Sequence, residues 1–301
     1  MRFEFVDRFL KHLRVSRGLS ENTIQAYKHD LKIFTQFLNK SQKVKIENVK
    51  KENIRCFIEF LDKRGLSAAS KARKIACLKS FFKYLHIEDM IPRNPVNGTF
   101  MPKINHKESH GLSEQEAKRL LKVVYVNATA YYKSRDYAIM SLFLNTGIRL
   151  SELVNMDRSD VDLIQGTIRI TRKGGNQQIL PLNSDASATL KKYLSERDDD
   201  IPAFFISKRS KRIHKRTVTH LIKKYMLIAR LNGERLRLSP HLLRRSFANF
   251  ILKAGSDIIT IQKLMGHRSI VTTQLYLNST ESDGRKAVEQ IKIGDFQEAG
   301  E

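Results

Sequence analysis

A cluster of chain breakers lies about a third of the way along the sequence. Pro92, Pro95, Gly98 and Pro102 interrupt an otherwise helix-patterned chain, and residues 99–112 carry no apolar period. Proline lacks an amide donor and pushes the residue before it out of the helical region, so no regular element runs through this stretch. Each side must therefore bury apolar surface of its own. At 301 residues the chain is long enough for two cores. The sequence divides into a domain over 1–98, a linker over 99–112, a second domain over 113–280 and a tail over 281–301.

The first domain reads as all helical. Ile24, Tyr27, Leu31, Phe34 and Leu38 repeat at three and four residues after Ser20, the spacing of one helix face. Ile54, Phe57, Ile58 and Leu61 form a second stripe that stops at Gly65. Ser67 opens a third, with Ile75, Leu78, Phe82 and Leu85. The other face of that third segment holds Lys71, Arg73, Lys74, Lys79 and Lys83, almost all of one sign.

The second domain starts at Ser113-Glu114-Gln115-Glu116, a capping box, and is mainly helical. Helix is expected to about Val124, from about Ser134 to Asn145, and again after Lys215. Residues 167–172 and 177–182 alternate apolar and polar about Gly174-Gly175, which predicts a hairpin and a small antiparallel sheet. The fold class is thus mainly α, a helical domain followed by a mainly helical domain with a small sheet.

Charge narrows the partner. The formal net charge is +24. Residues 1–112 carry 23 Lys and Arg against 11 Asp and Glu, and residues 113–301 carry 32 against 20, so each part is +12. Two basic bodies suit a polyanion that touches both. Acidic lipid would call for a basic amphipathic helix beside an anchor, and none is evident. RNA readers display aromatic platform motifs that are missing here. Cys56 and Cys77 sit within apolar-periodic segments and read as buried hydrophobes. No metal-ligand spacing, apolar span of membrane length or secretory leader is seen, so a cytoplasmic location is expected.

Four segments of the second domain hold reactive residue types. In Thr146-Gly147-Ile148-Arg149-Leu150-Ser151-Glu152, Gly147 ends one helix and Arg149 stands where the next begins, a place suited to a phosphate oxygen. Glu152 is spaced to orient the guanidinium. Lys173 stands at the hairpin tip. In Ser239-Pro240-His241-Leu242-Leu243-Arg244-Arg245, Pro240 opens a helix that puts His241 and Arg244 on one face. Last, a helix capped by Ser256 ends at Gly266, His267 follows, and a short helix carries Tyr276. Taken singly, each has a plainer reading: a surface ion pair, a solvated turn lysine, a packing aromatic.

Together, in this order, the residues resemble the tyrosine recombinases, the family of phage integrases and Xer resolvases. The shared words are Thr-Gly-x-Arg-x-Ser-Glu-Leu, His-x-Leu-Arg-x-Ser-Phe-Ala and Leu-Met-Gly-His ahead of Thr-Thr-Gln-x-Tyr. Arg245 departs from the many Xer-like members that carry His there. The resemblance implies a catalytic set of Arg149, Lys173, His241, Arg244, His267 and the nucleophile Tyr276, with Glu152 in support. It implies a SAM-like core-binding first domain. DNA contacts are expected from Lys71, Arg73, Lys74, Lys79 and Arg245. The implied partner is double-stranded DNA bearing a recombination site, held by a homo-tetramer on two sites or a hetero-tetramer with a second recombinase. The tail is expected to dock on its own domain or on a neighbouring protomer. No cofactor or metal is implied. A type IB topoisomerase-like relaxing enzyme and a catalytically silent DNA-binding accessory protein remain alternatives.

Overall fold

The computed structural model describes residues 2–98, 111–172, 175–231 and 238–266. The chain forms two compact units, 1–107 and 108–301.

The first unit is built from α1 (Arg2–Val15), α2 (Glu21–Phe37), α3 (Lys51–Lys63) and α4 (Ala68–Ile87). Its core is strongly aromatic: Phe9, Phe34, Phe57, Phe81 and Phe82 are fully buried. Phe34 and Phe57 meet edge to face with ring centres 4.9 Å apart, the arrangement that the ring quadrupoles favour. Ser67 caps α4 by accepting from the Ser70 amide at 3.3 Å. α1 had no counterpart among the segments read from the sequence.

The basic face expected on α4 is not uniform. Lys74 is buried, its ammonium held by the equally buried Asp30 of α2. Arg73 binds the other oxygen of the same carboxylate. Lys71 pairs with Asp62. The reason is helical geometry: Lys74 precedes Leu78 by four residues, so it falls on the apolar stripe and not on the solvated face. A buried ammonium requires a carboxylate, and Asp30 supplies it.

The second unit begins with α5 (Glu114–Asn127), α6 (Lys133–Thr146) and α7 (Leu150–Asn155). Ser113 and Glu116 form the reciprocal cap, with bonds of 3.2 and 2.7 Å. A three-stranded antiparallel sheet follows: β1 (Val161–Asp162), β2 (Thr167–Thr171) and β3 (Gln177–Pro181), in that order across the sheet. The β2–β3 register pairs Ile168 with Leu180 and Ile170 with Gln178. The alternation Ile168, Ile170 inward and Arg169, Thr171 outward is the one a half-buried strand requires. α8 (Ser184–Ser195), α9 (Lys215–Ile228), α10 (Pro240–Lys253) and α11 (Ile258–Met265) complete the described residues. α6 is buried nearly all round and packs on α5, α8 and α10. It therefore serves as the axis of this unit. β1 and α8 were not anticipated, and α11 is capped by Asp257 rather than Ser256. The Asp257 carboxylate accepts from the Ile259 and Thr260 amides at 2.8 and 2.9 Å. No helix among the described residues is long and apolar enough to cross a membrane.

The Asp30 cluster yields a direct test of the first unit. Asp30→Ala leaves Lys74 charged and buried without its acceptor. Breaking a buried pair in this way costs about 3–5 kcal/mol. Urea unfolding of the full chain is expected to show this loss, whereas Asp62→Ala, at an exposed pair, costs under about 1 kcal/mol.

Candidate active site

The candidate site is assembled at the C-terminal end of α11. A helix leaves its last carbonyls without intrahelical partners, and its dipole makes that end negative. In this protein side chains fill the gap. Gln178 Nε2 donates to the Lys263 carbonyl at 2.8 Å. Arg172 donates to Leu264 through Nη2 at 2.9 Å and to Met265 through Nη1 at 3.2 Å. Arg244 also donates to the Met265 carbonyl, and its other terminal nitrogen donates to Gly147. Arg149 Nη2 reaches the Gly266 carbonyl at 2.9 Å. Three guanidinium groups from three different elements thus converge on one helix end.

Glu152 ties two of them together. Its carboxylate is buried, and one oxygen accepts from both Arg149 Nη1 and Arg172 Nη1, each at 2.9 Å. The other oxygen accepts from the Arg149 backbone amide at 2.8 Å, which closes the N-terminus of α7. Burial pulls the Arg172 pKa below its usual value, and the Glu152 charge opposes that shift. Arg149 keeps a third of its side chain exposed, enough for a guanidinium fork to meet an anion. Arg244 lies deeper, one helical turn beyond the exposed His241 on α10.

Two glycines make this approach possible. Gly147 and Gly266 end α6 and α11 with φ of 60° and 58°. A Cβ at Gly147 would lie 2.4 Å from the Phe247 ring, and one at Gly266 would lie 2.7 Å from the Arg172 guanidinium carbon. Only glycine satisfies both the left-handed backbone and the crowding.

Residues 111–283 match the phage integrase family, and residues 6–89 match the phage integrase N-terminal SAM-like domain. The chain belongs to the phage integrase family of tyrosine recombinases. It is 34% identical to the tyrosine recombinase XerC of Roseiflexus sp. (strain RS-1), an alignment covering 94% of this chain and 91% of that protein. The crystal structure of XerA recombinase aligns over 95% of this chain and 98% of its own, with 30% identity and a TM-score of 0.53. The Tn1549 transposon integrase in complex with a circular intermediate DNA shares the fold, with 17% identity, a TM-score of 0.76 and coverage of 95% and 98%.

Of the residues read from the recombinase's sequence, the structure brings Arg149, Glu152 and Arg244 into one network, with His241 on the helix that carries Arg244. Lys173, His267 and Tyr276 lie outside the described residues, as do linker residues 99–110 and the tail. Tyr27, Tyr84, Tyr137, Tyr193 and Tyr225 all have pKa values raised mainly by burial, the wrong direction for a nucleophile. Arg245 is half-buried on α10. In the basic run 208–216, Arg212 is exposed but tied down, donating to the Val154 and Met156 carbonyls and pairing with Asp157.

Sequence reasoning passed over Arg172 and Gln178. The signal was present: Arg172 continues the inward face of Ile168 and Ile170, and an inward arginine demands a buried partner.

The glycine geometry gives a test. Gly147→Ala is expected to lower the stability of the recombinase by about 1–3 kcal/mol, the usual cost of overpacking, with φ strain in addition. Denaturant unfolding measures it, and an unchanged midpoint would mean that the α6–α10 approach is looser than described.

Proposed function

We propose that this chain is a site-specific recombinase that cleaves and rejoins duplex DNA through a 3′-phosphotyrosyl link to Tyr276. The observation that carries the proposal is the convergence of Arg149 and Arg244 on the end of α11, directly before His267 and ten residues before Tyr276. Two forked cations fixed in one network are what a phosphodiester in transit between two oxygens requires.

The roles follow from the chemistry. Tyrosine has a pKa of about 10, so its hydroxyl must lose a proton as it attacks. His241 takes that proton. Tyr276 Oη bonds to phosphorus, and the bond from phosphorus to the 5′ oxygen breaks. Arg149, Arg244 and His267 hold the charge on the nonbridging oxygens, and Lys173 protonates the departing 5′ oxygen. The phosphotyrosyl bond retains the ester, so a 5′ hydroxyl from a partner strand reverses the sequence of steps without ATP. The arginines, the lysine and the histidines supply the positive charge that a metal ion gives to nucleases.

The two basic units support contact of both with DNA. Exposed Arg73 and the half-buried Lys71, Lys79 and Arg245 are the proposed phosphate contacts, whereas Lys74 belongs to the core of the first unit. Integrases and Xer recombinases among the similar proteins favour strand exchange between two sites over simple relaxation. A tetramer on two sites, of one recombinase or of two, and action in the cytoplasm complete the reading.

Two measurements test it. Incubation with DNA from the gene's own neighbourhood is expected to give a covalent adduct that maps to Tyr276, survives excess EDTA and is absent from Tyr276→Phe. Loss in EDTA with recovery on Mg²⁺ overturns the charge assignment. Separately, sulfur at the 5′-bridging position departs as a thiolate, whose conjugate acid has a pKa of about 8.5 and needs no acid. Lys173→Ala is expected to cut normal DNA poorly and sulfur-bridged DNA nearly as fast as wild type. An equal defect on both removes Lys173 as the acid.

A further inference from the structure

Arg172 ends the inward face of β2 with only 10% of its side chain exposed, so it is poorly placed to contact DNA itself. All three of its nitrogens are nevertheless engaged. Nε bonds Gln178 across the hairpin at 2.9 Å, Nη1 bonds Glu152 at 2.9 Å, and both terminal nitrogens hold carbonyls at the end of α11. One planar group therefore clips the β2–β3 hairpin, the start of α7 and the end of α11 together.

The Glu152 oxygen that Arg172 binds is the same oxygen that binds Arg149. Arg149 also holds the Gly266 carbonyl, one residue beyond the carbonyls that Arg172 holds. Arg172 thus binds one anchor of the Arg149 guanidinium directly and holds the two residues just before the other. Two cations crowded on one carboxylate oxygen would separate if either anchor moved. Gly266 has no side chain where a Cβ would strike the Arg172 guanidinium, so the backbone is shaped around this group.

We propose that Arg172 is a positioning residue for Arg149. It sets Glu152 and the end of α11 so that the Arg149 fork faces the scissile phosphate. The proposal rests on the reading of Arg149 as the group that answers charge on a nonbridging oxygen. A purely structural clip would lower stability without any preference for substrate charge.

Substrate chemistry separates the two. A methylphosphonate replaces one nonbridging oxygen of the scissile phosphate with a methyl group and removes the negative charge. Single-turnover cleavage of phosphate and methylphosphonate substrates, in both diastereomers, is compared for wild type, Arg149→Ala and Arg172→Ala. Arg149→Ala is expected to be slow on phosphate, by about 10²–10³-fold, and to recover most of its rate on one methylphosphonate. Arg172→Ala is expected to lose on the order of 10²-fold on phosphate through misplacement of Arg149, to recover on the same diastereomer, and to bind DNA within about twofold of wild type, having no phosphate contact to lose. Recovery of Arg149→Ala without recovery of Arg172→Ala overturns the positioning role. Failure of Arg149→Ala itself to recover overturns the underlying reading of Arg149, and the proposal with it. If thermal melting shows Arg172→Ala unfolded, Gln178→Ala replaces it. That variant removes the Nε acceptor but keeps the Glu152 pair, and it is expected to show a smaller defect, about tenfold or less, with the same recovery. A Gln178→Ala defect equal on both substrates also overturns the proposal.

Discussion

The second unit depends on how the end of one short helix is satisfied. The carbonyls of residues 263–266 would be costly to bury unpaired. Instead they face Gln178, Arg172, Arg244 and Arg149. The arrangement works in both directions, because buried guanidinium groups need acceptors as much as carbonyls need donors. Glu152 then offsets the charge that carbonyl dipoles alone leave uncompensated. Breaking any one of these contacts exposes a buried charge to the others, so the network behaves as a unit.

This constraint places the candidate site residues on rigid elements. Arg149 starts α7, Arg244 lies inside α10, and α11 ends in the turn that leads to His267. The β2–β3 hairpin is held to the same point through Arg172 and Gln178. A guanidinium whose neighbours are packed helices is already oriented before an anion arrives, which is the condition for stabilising a transition state without reorganisation.

The basic composition has a second side. The count of 55 Lys and Arg overstates the cations that a polyanion can touch. Lys74, Arg135, Arg172, Arg197 and Arg244 are largely withdrawn from solvent and held by carboxylates or carbonyls. Arg135, for example, lies over the Tyr132 ring and pairs with Asp136, which also accepts from the Tyr225 hydroxyl. Much of the arginine in this protein is structural cement in the second unit, and the surface field is set by the remainder.

Local patterns made a large share of the protein legible. The capping box at Ser113, the helix ends at Gly147 and Gly266 and the alternation of β2 and β3 all follow from neighbours within a few residues, and the two-domain layout was legible as well. So was the order Arg149, Glu152, His241, Arg244. What sequence could not determine is which charges go inside. Lys74 and Arg172 look like surface cations until their partners, Asp30 and Glu152, arrive from 44 and 20 residues away. Ser256 and Asp257 are both competent caps, and backbone geometry chose the second. Periodicity assigns a residue to a face. Only the packed structure decides what that face meets, because the cost of burying a charge is settled by a partner distant in the chain.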